Sequence, residues 1–409
     1  MLSQQTIDII KSTVPVLEVK GTEITTVFYK NLFENHPELL HIFNHANQKR
    51  GRQQTALANT VLAAAKYIDQ LETIIPVVKQ ISHKHRSLAV KPEHYPIVGE
   101  HLLGAIKQVL GDAATDEIIG AWAEAYGVIA QVFIDIEKEM YQGTANQNNG
   151  WADYKDFKVI DKVKESDVIT SFYLKPADDS NVPEFEPGQY ITVRLQIPGE
   201  DYLFNRQYSL SIAPGKEYFR ISVKKEAEGT IPDGKVSNYL HDHINTGDTI
   251  EVTAPAGDFT LDTEKETPVV FLSGGVGITP FMSMAGAVAE KQPGRQVQFI
   301  HAARYGSLQA FKEELKGLHD KLTNYQLAFV YEQPDEEDLQ NEYFSKQGYI
   351  DAEWLKDRVA ADADFYVCGP VPFLRAIIGS LKKLGIPDTR IHFEFFGPAE
   401  NLEAEEATA

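Results

Sequence analysis

Residues 3–142 repeat apolar positions at helical spacing and show almost no strand-like alternation. The cleanest run is Ile119, Trp122, Tyr126, Ile129, Phe133, Ile136 and Met140, whose spacings of three and four predict a long helix with a buried seam and Glu137 at its margin. Between Arg52 and Leu71, Gln53, Leu57 and Val61 lie four apart and stack on one face, apolar except for Gln53. Val78, Ile81, His85 and Leu88 form a further stripe with one imidazole set into it. His83, about 200° round that helix, is expected to face water. Asn35-His36-Pro37 reads as a helix start with proline at the first helical position, and Phe43 follows in the next short segment.

The pattern then changes. Gln142 to Gly150 is small, polar and aperiodic, and reads as a linker. Beyond Trp151, FKVIDKVKESDVITSFYLKP, YITVRLQI and YFRISVKK alternate as strands between Pro- and Gly-bearing turns, which predicts a compact antiparallel barrel. From Pro268 strands and helices alternate, as in a parallel sheet with crossover helices. The expected fold class is therefore multidomain: an all-α unit at 1–146, an antiparallel β-barrel at 151–262 and an α/β unit at 266–409.

Composition narrows the function. The chain has 409 residues, 43% hydrophobic and 24% charged, enough for two or three soluble domains. Its 59 acidic against 39 basic residues argue against nucleic acid or an anionic membrane as partner. The stretch 332–342 and the tail from Glu400 read as solvated loop and terminus. The single cysteine, Cys368, excludes an intramolecular disulfide, and MLSQQTIDIIKSTVP shows no secretory signal, so a cytoplasmic location is expected. Thr267 to Ala289 carries no charge, but Pro268, Gly274, Gly275, Gly277, Pro280 and Gly286 interrupt it, as strand, turn and helix rather than a bilayer crossing.

Taken alone, His85 fits either an ordinary core histidine or an axial metal ligand, Gln53 a stripe-boundary residue, and Glu137 a solvated glutamate. The order Lys84-His85, Pro92, Tyr95-Pro96, with a glutamate on a later helix, resembles the proximal side of the haem pocket in flavohaemoglobins. That resemblance covers nearly the whole chain and implies an all-α globin domain with His85 as the haem-iron ligand and Lys84 beside it in the catalytic set. It implies that Glu137 and Tyr95 form a relay behind His85, which raises the basicity of the ring. On the distal side it implies Tyr29 and Gln53 as donors to iron-bound oxygen, Leu57 as the residue limiting room above the iron, and Phe43 packed on the porphyrin.

Pro187-Gly188-Gln189-Tyr190 and Arg206-Gln207-Tyr208-Ser209, followed by Leu210-Ser211, resemble the flavin-binding segments of ferredoxin-reductase-like enzymes. The polar face of an exposed strand would account for Arg206 and Ser209 singly, though not for the whole set. Arg206 suits a pyrophosphate, Tyr208 the isoalloxazine or ribityl chain, and Ser209 the ring nitrogen that accepts hydride. The start of a helix at Gly234-Lys-Val-Ser237-Asn238 fits either a phosphate contact or an ordinary cap. Gly275-Val276-Gly277-Ile278-Thr279-Pro280 follows a strand, with Thr279 expected as the cap of the next helix; the full G-x-G-x-x-G pattern is absent. With Cys368-Gly369-Pro370 it resembles the pyridine-nucleotide domain of the same enzymes, and Phe395-Phe396-Gly397-Pro398 resembles their segment beside the flavin. Arg304 fits a 2′-phosphate contact or an ordinary surface arginine.

These resemblances imply haem b, FAD and NAD(P)H as cofactors. A dinucleotide delivers two electrons as hydride and a haem accepts one at a time, so a flavin between them is the required converter. The expected activity is nitric oxide dioxygenase, making nitrate from NO and O2 in a monomer, with neither nucleic acid nor membrane as partner. The alternatives are an NAD(P)H-dependent reductase of peroxides or other acceptors, and an oxygen- or NO-sensing globin.

Overall fold

The computed structural model describes residues 2–43, 48, 51–226 and 234–396. Its first part is helical: α1 (Gln4–Ser12), α2 (Val14–Asn35), α3 (Arg52–Lys66), α4 (Ile75–Ser87), α5 (His94–Leu110) and α6 (Asp116–Asn146). The starts carry the local chemistry that ends a helix well. The Ser3 hydroxyl accepts the Thr6 N–H at 3.1 Å, and the Thr115 hydroxyl accepts that of Ile118 at 3.3 Å, with Asp116 and Glu117 in the first turn of α6. Proline stands at the first turn of α2 and of α4. Pro37 opens a short 3₁₀ turn, Pro37–His41, rather than a full helix.

Ile10, Ile24, Phe28, Leu32, Ile106 and Trp122 form the main core of this unit, and Val78, Tyr95, Ala130 and Phe133 form a smaller cluster under α4. Helix α3 rests on α2, whereas α4 rests on α6. Helix α6 is long and apolar enough to cross a membrane by length and composition, but its Trp122–Phe133 face packs on α1, α4 and α5. It also runs further than its polar end suggested. Gly143 and Thr144 lie inside it, since the Thr144 hydroxyl donates to Met140 O and Gln147 N to Gly143 O. Small polar residues weaken a helix without breaking one already propagating.

Six antiparallel strands follow: β1 (Tyr154–Lys164), β2 (Ile169–Pro176), β3 (Tyr190–Leu195), β4 (Phe204–Ser209), β5 (Phe219–Lys224) and β6 (Thr249–Thr253), in the order β4-β3-β6-β1-β2-β5. The two ends meet where Leu210 bridges to Ile221, which closes the sheet towards a barrel. Alternate residues point inward, so Phe157, Phe172, Val193, Phe219 and Ile221 fill the interior. Helix α7 (Lys235–His243) lays Val236 and Leu240 on that core.

The last unit is a parallel sheet of β7 (Val269–Gly274), β8 (Val297–Ala303), β9 (Tyr325–Tyr331), β10 (Phe344–Gln347), β11 (Asp364–Cys368) and β12 (Ile391–Glu394), ordered β10-β9-β8-β7-β11-β12. The uncharged run flagged in the sequence is buried strand β7 and the largely buried helix α8 (Thr279–Lys291). The strand order reverses at β7, so the crevice between the carboxyl ends of β7 and β11 is where an open α/β sheet takes a ligand. Arg220 of the barrel grips Glu314 with two bonds of 2.8 and 3.1 Å, tying this unit to the barrel.

Candidate functional site

The imidazole of His85 is held from behind. Its Nδ1 lies 2.7 Å from Glu137 Oε1 and 3.2 Å from the Tyr95 hydroxyl, and that hydroxyl donates to the same carboxylate oxygen at 2.6 Å. Glu137 is 3% exposed, so the seam-margin glutamate is a core residue with a partner on each neighbouring helix. The Tyr126 hydroxyl donates to Tyr95 O at 2.6 Å, and Phe133 lies 5.8 Å from the His85 ring. A carboxylate accepting from Nδ1 sets the tautomer and leaves Nε2 a bare lone pair, the form that ligates a metal. Burial, with Glu137 beside it, pushes the Tyr95 hydroxyl well above its ordinary pKa, so it stays a donor. His83 does not face water as its phase predicted. Its Nδ1 accepts the Gly257 N–H at 3.4 Å across the seam to the barrel, and burial depresses its pKa.

On the other side, Tyr29 is buried, with Gln53 close enough to its hydroxyl to offset part of the burial effect on its pKa. Burial raises its pKa, which keeps the hydroxyl protonated. Phe28, Phe33 and Phe43 surround it at 4.8, 5.8 and 5.8 Å. Leu57 stands one turn beyond Gln53 on α3. The structure thus gathers Tyr29, Gln53 and Phe43 around one hydroxyl. One free imidazole nitrogen on α4, a protonated phenol with an amide between α2 and α3, and aromatic walls are the donor set a haem requires.

In the barrel, Arg206-Gln207-Tyr208-Ser209 is part of strand β4 itself, paired to β3 with Tyr190 opposite Ser209. The Arg206 guanidinium has only the Asn205 carbonyl, at 2.7 Å, as a hydrogen-bond acceptor among the described residues, and burial lowers its pKa. A fork so poorly paired fits a pyrophosphate. The Tyr190 ring lies on Gly257, where an added Cβ would sit 2.9 Å from it, in a backbone with φ of +111°. Asn238 Oδ1, in the first turns of α7, is buried with no partner among the described residues. These features fit FAD.

At the sheet crevice, Gly275–Ile278 form a 3₁₀ turn leading into α8. Thr279 is the first residue of that helix rather than its cap: its hydroxyl donates to Val276 O at 3.0 Å, and the 3₁₀ turn supplies the entry that a side-chain cap would otherwise give. Gly277 packs against the Cys368-Gly369 turn so closely that a Cβ would lie 2.3 Å from Cys368 O. The two glycine turns therefore form one surface, shaped for a dinucleotide. The Cys368 thiol is buried and its pKa raised, so it is no thiolate nucleophile. Arg52 of α3 reaches over the Phe395 ring at 5.7 Å, and Phe396 is exposed; Gly397 and Pro398 lie outside the described residues.

Sequence reasoning missed Glu394. In register with Cys368 on β12, it faces Asp258 and Lys84, and burial together with Asp258 pushes its pKa up to about 8. Burial depresses Lys84, and Glu394 partly offsets this. A carboxyl raised in the fold contributes stability that is complete below its unfolded pKa and is lost as pH rises through the folded value. The unfolding midpoint of the wild type should fall relative to Glu394→Gln between about pH 4.5 and pH 8 at equal cofactor load. Parallel curves would show that the group ionises freely.

Fold and site together define an oxidoreductase that joins a haem pocket to a flavin barrel and a nicotinamide-dinucleotide domain. Three family models match in the same order: globin over residues 26–133, oxidoreductase FAD-binding domain over 156–261, and oxidoreductase NAD-binding domain over 271–378. A flavohemoprotein of Bacillus cereus is 58% identical over 404 residues, 98% of this chain and 100% of that protein. The crystal structure of a flavohemoglobin from Malassezia yamatoensis with bound FAD and heme superposes with a TM-score of 0.85 at 27% identity, covering 97% of this chain and 100% of that one. The flavohem-like FAD/NAD-binding domain of nitric oxide dioxygenase from Vibrio cholerae O1 biovar El Tor matches 60% of this chain and 99% of its own, at 36% identity and a TM-score of 0.54. The chain belongs to the flavohemoprotein family, and its cofactors are haem, FAD and a nicotinamide dinucleotide.

Proposed function

We propose that this oxidoreductase is a cytoplasmic, monomeric nitric oxide dioxygenase, with the haem unit at 1–146, the FAD unit at 151–262 and the NAD(P) unit at 266–409. One NAD(P)H, two NO and two O2 give NAD(P)⁺, H⁺ and two nitrates, so each NO costs one electron. When bound, haem supplies an iron that takes O2, and FAD accepts a hydride and passes on single electrons. The observation that carries the reading is the carboxylate behind His85 Nδ1 in a chain that also holds the Arg206–Ser209 strand and the Gly277–Cys368 crevice.

Within it each residue has a task. Glu137 and Tyr95 hold the His85 ring and raise the basicity of Nε2, favouring reaction over storage. Tyr29, with Gln53, donates to the negative charge that develops on a distal ligand, and Leu57 limits the room there. Phe43 supports the porphyrin face. Lys84, next to His85 in the chain, places a cation near Glu394. Arg206, Gln207, Tyr208, Ser209 and Tyr190 hold the flavin, and Gly275–Pro280 with Cys368-Gly369 hold the dinucleotide. A single, buried cysteine suits a reducing cytosol.

The test is NO removal followed with an electrode, using the loaded protein and NADH. Tyr29→Phe should slow it on the order of 10²-fold while NADH still reduces the flavin at the wild-type rate. Wild-type NO removal by that variant would refute the distal assignment. The same proximal relay favours a second reading, reduction of peroxides, which predicts faster NADH turnover with peroxide than with NO plus O2.

A further inference from the structure

The two residues that follow the imidazole belong to neither pocket, and both cross to the barrel. Arg86 is 5% exposed, and no carboxylate among the described residues pairs with it. Its guanidinium donates instead to two consecutive main-chain carbonyls, Ala254 O at 3.4 Å and Pro255 O in a short bond. Burying an unpaired cation is costly. A rigid fork on two carbonyls fixes direction as well as distance, which a surface ion pair does not.

Those carbonyls stand at the end of β6, one residue before Ala256, whose N–H and C=O both pair with Tyr190 at 2.8 and 2.9 Å. Ser87, fully buried, donates to Lys84 O at 2.8 Å and accepts the Gln207 side-chain amide, also at 2.8 Å. Helix α4 is thus fastened, within one turn of His85, to Gln207 on β4 directly and to Tyr190 on β3 through the 254–256 segment. A third contact from α4 reaches the same stretch of the barrel, His83 Nδ1 accepting the Gly257 N–H at 3.4 Å, whereas the bonds from Asn205 to the carbonyls of His41 and Ile42 lie elsewhere in the helical unit.

We propose that Arg86 and Ser87 are positioning residues that fix the helix bearing His85 against the flavin strands, and so set the rate at which electrons cross from flavin to haem. The inference rests on the reading that electrons do cross there. Hydride from NAD(P)H brings two electrons to the flavin; two single transfers, each reducing one ferric iron to ferrous, return it to the oxidised form and release its proton. Misplacement by about 1 Å can cost on the order of 10²-fold when geometry sets a rate.

The two steps separate in a stopped-flow experiment on the loaded full chain, with NADH as donor under carbon monoxide: flavin bleaching reports hydride transfer, and the ferrous–CO Soret band reports the crossing. Arg86→Met should slow the crossing on the order of tenfold or more, with bleaching, cofactor content and both midpoint potentials unchanged. Arg86→Lys, which keeps one donor, should recover part of the loss, and Ser87→Ala should slow the crossing roughly fivefold. In the chain freed of both cofactors, Arg86→Met should also raise hydrogen exchange over residues 80–90 and leave α6 protected. A crossing within twofold of wild type in both variants overturns the proposal, as does equal slowing of both steps. Where Arg86→Met fails to hold its cofactors, Ser87→Ala decides, and a wild-type crossing rate in it overturns the proposal. A wild-type chain that bleaches without forming ferrous haem would instead refute the electron path, and the exchange result alone would then judge the clamp.

Discussion

Replacing His85 by alanine is expected to lower the ratio of Soret to flavin absorbance at least about tenfold in the purified chain, while FAD content stays near one per chain. The ring offers the one imidazole nitrogen on α4 that is held by a buried carboxylate and leaves its opposite nitrogen free. Removing it would take away the imidazole proposed to hold the haem, and it also strands Glu137. That carboxylate keeps only the Tyr95 hydroxyl, at 2.6 Å, inside a core where it is 3% exposed. A buried acceptor that loses a partner costs about 1–3 kcal/mol, more when charged, so α4 and α6 should loosen together. The flavin strands are untouched by the change, because Arg206 and Tyr208 stand on β4 and owe their geometry to pairing with β3. A haemochrome assay beside a flavin assay reads the outcome, and a variant that keeps its full haem complement would remove His85 from the site.

Much of this was legible because the decisive features are local. The stripe carrying His85, the seam of α6 and the strand-like runs at β1, β2, β3 and β5 are short-range patterns, and the elements formed where they predict, although β2 and β5 are buried on both faces rather than alternately. What failed was of two kinds. Element ends depend on competition between weak terms, so α6 ran through Gly143 to Asn146 and Thr279 entered α8 rather than capping it. The fate of polar residues depends on what lies across a seam. Helical phase sent His83 to water, yet the barrel stands there and Gly257 binds it. Phase alone also left Glu137 at a margin, although its partners come from α4 and α5, 52 and 42 positions away. Arg86, Ser87 and Glu394 carry no periodic signature, because each answers to another unit of the chain.

Gly277→Val should abolish dinucleotide-driven electron entry and spare everything downstream. A Cβ at this position would lie 2.3 Å from Cys368 O and 2.7 Å from Gly369 N, and both are backbone atoms that cannot swing aside. The Gly275–Ile278 turn must therefore lift off the end of β11, opening the surface that the two turns make together. Overpacking of this sort costs about 1–3 kcal/mol, which a folded chain tolerates. The functional loss is larger, because a nicotinamide held about 1 Å out of place loses on the order of 10²-fold in hydride transfer. NADH bleaching of the flavin should fall by that factor, whereas dithionite should still reduce flavin and haem at wild-type rates. Gly275→Ala makes the control: its backbone has φ of +55° and open space around the Cβ, so only the modest strain of a left-handed alanine, about 1–2 kcal/mol, should appear. If Gly277→Val bleached with NADH as fast as the control, the dinucleotide would bind elsewhere than between β7 and β11.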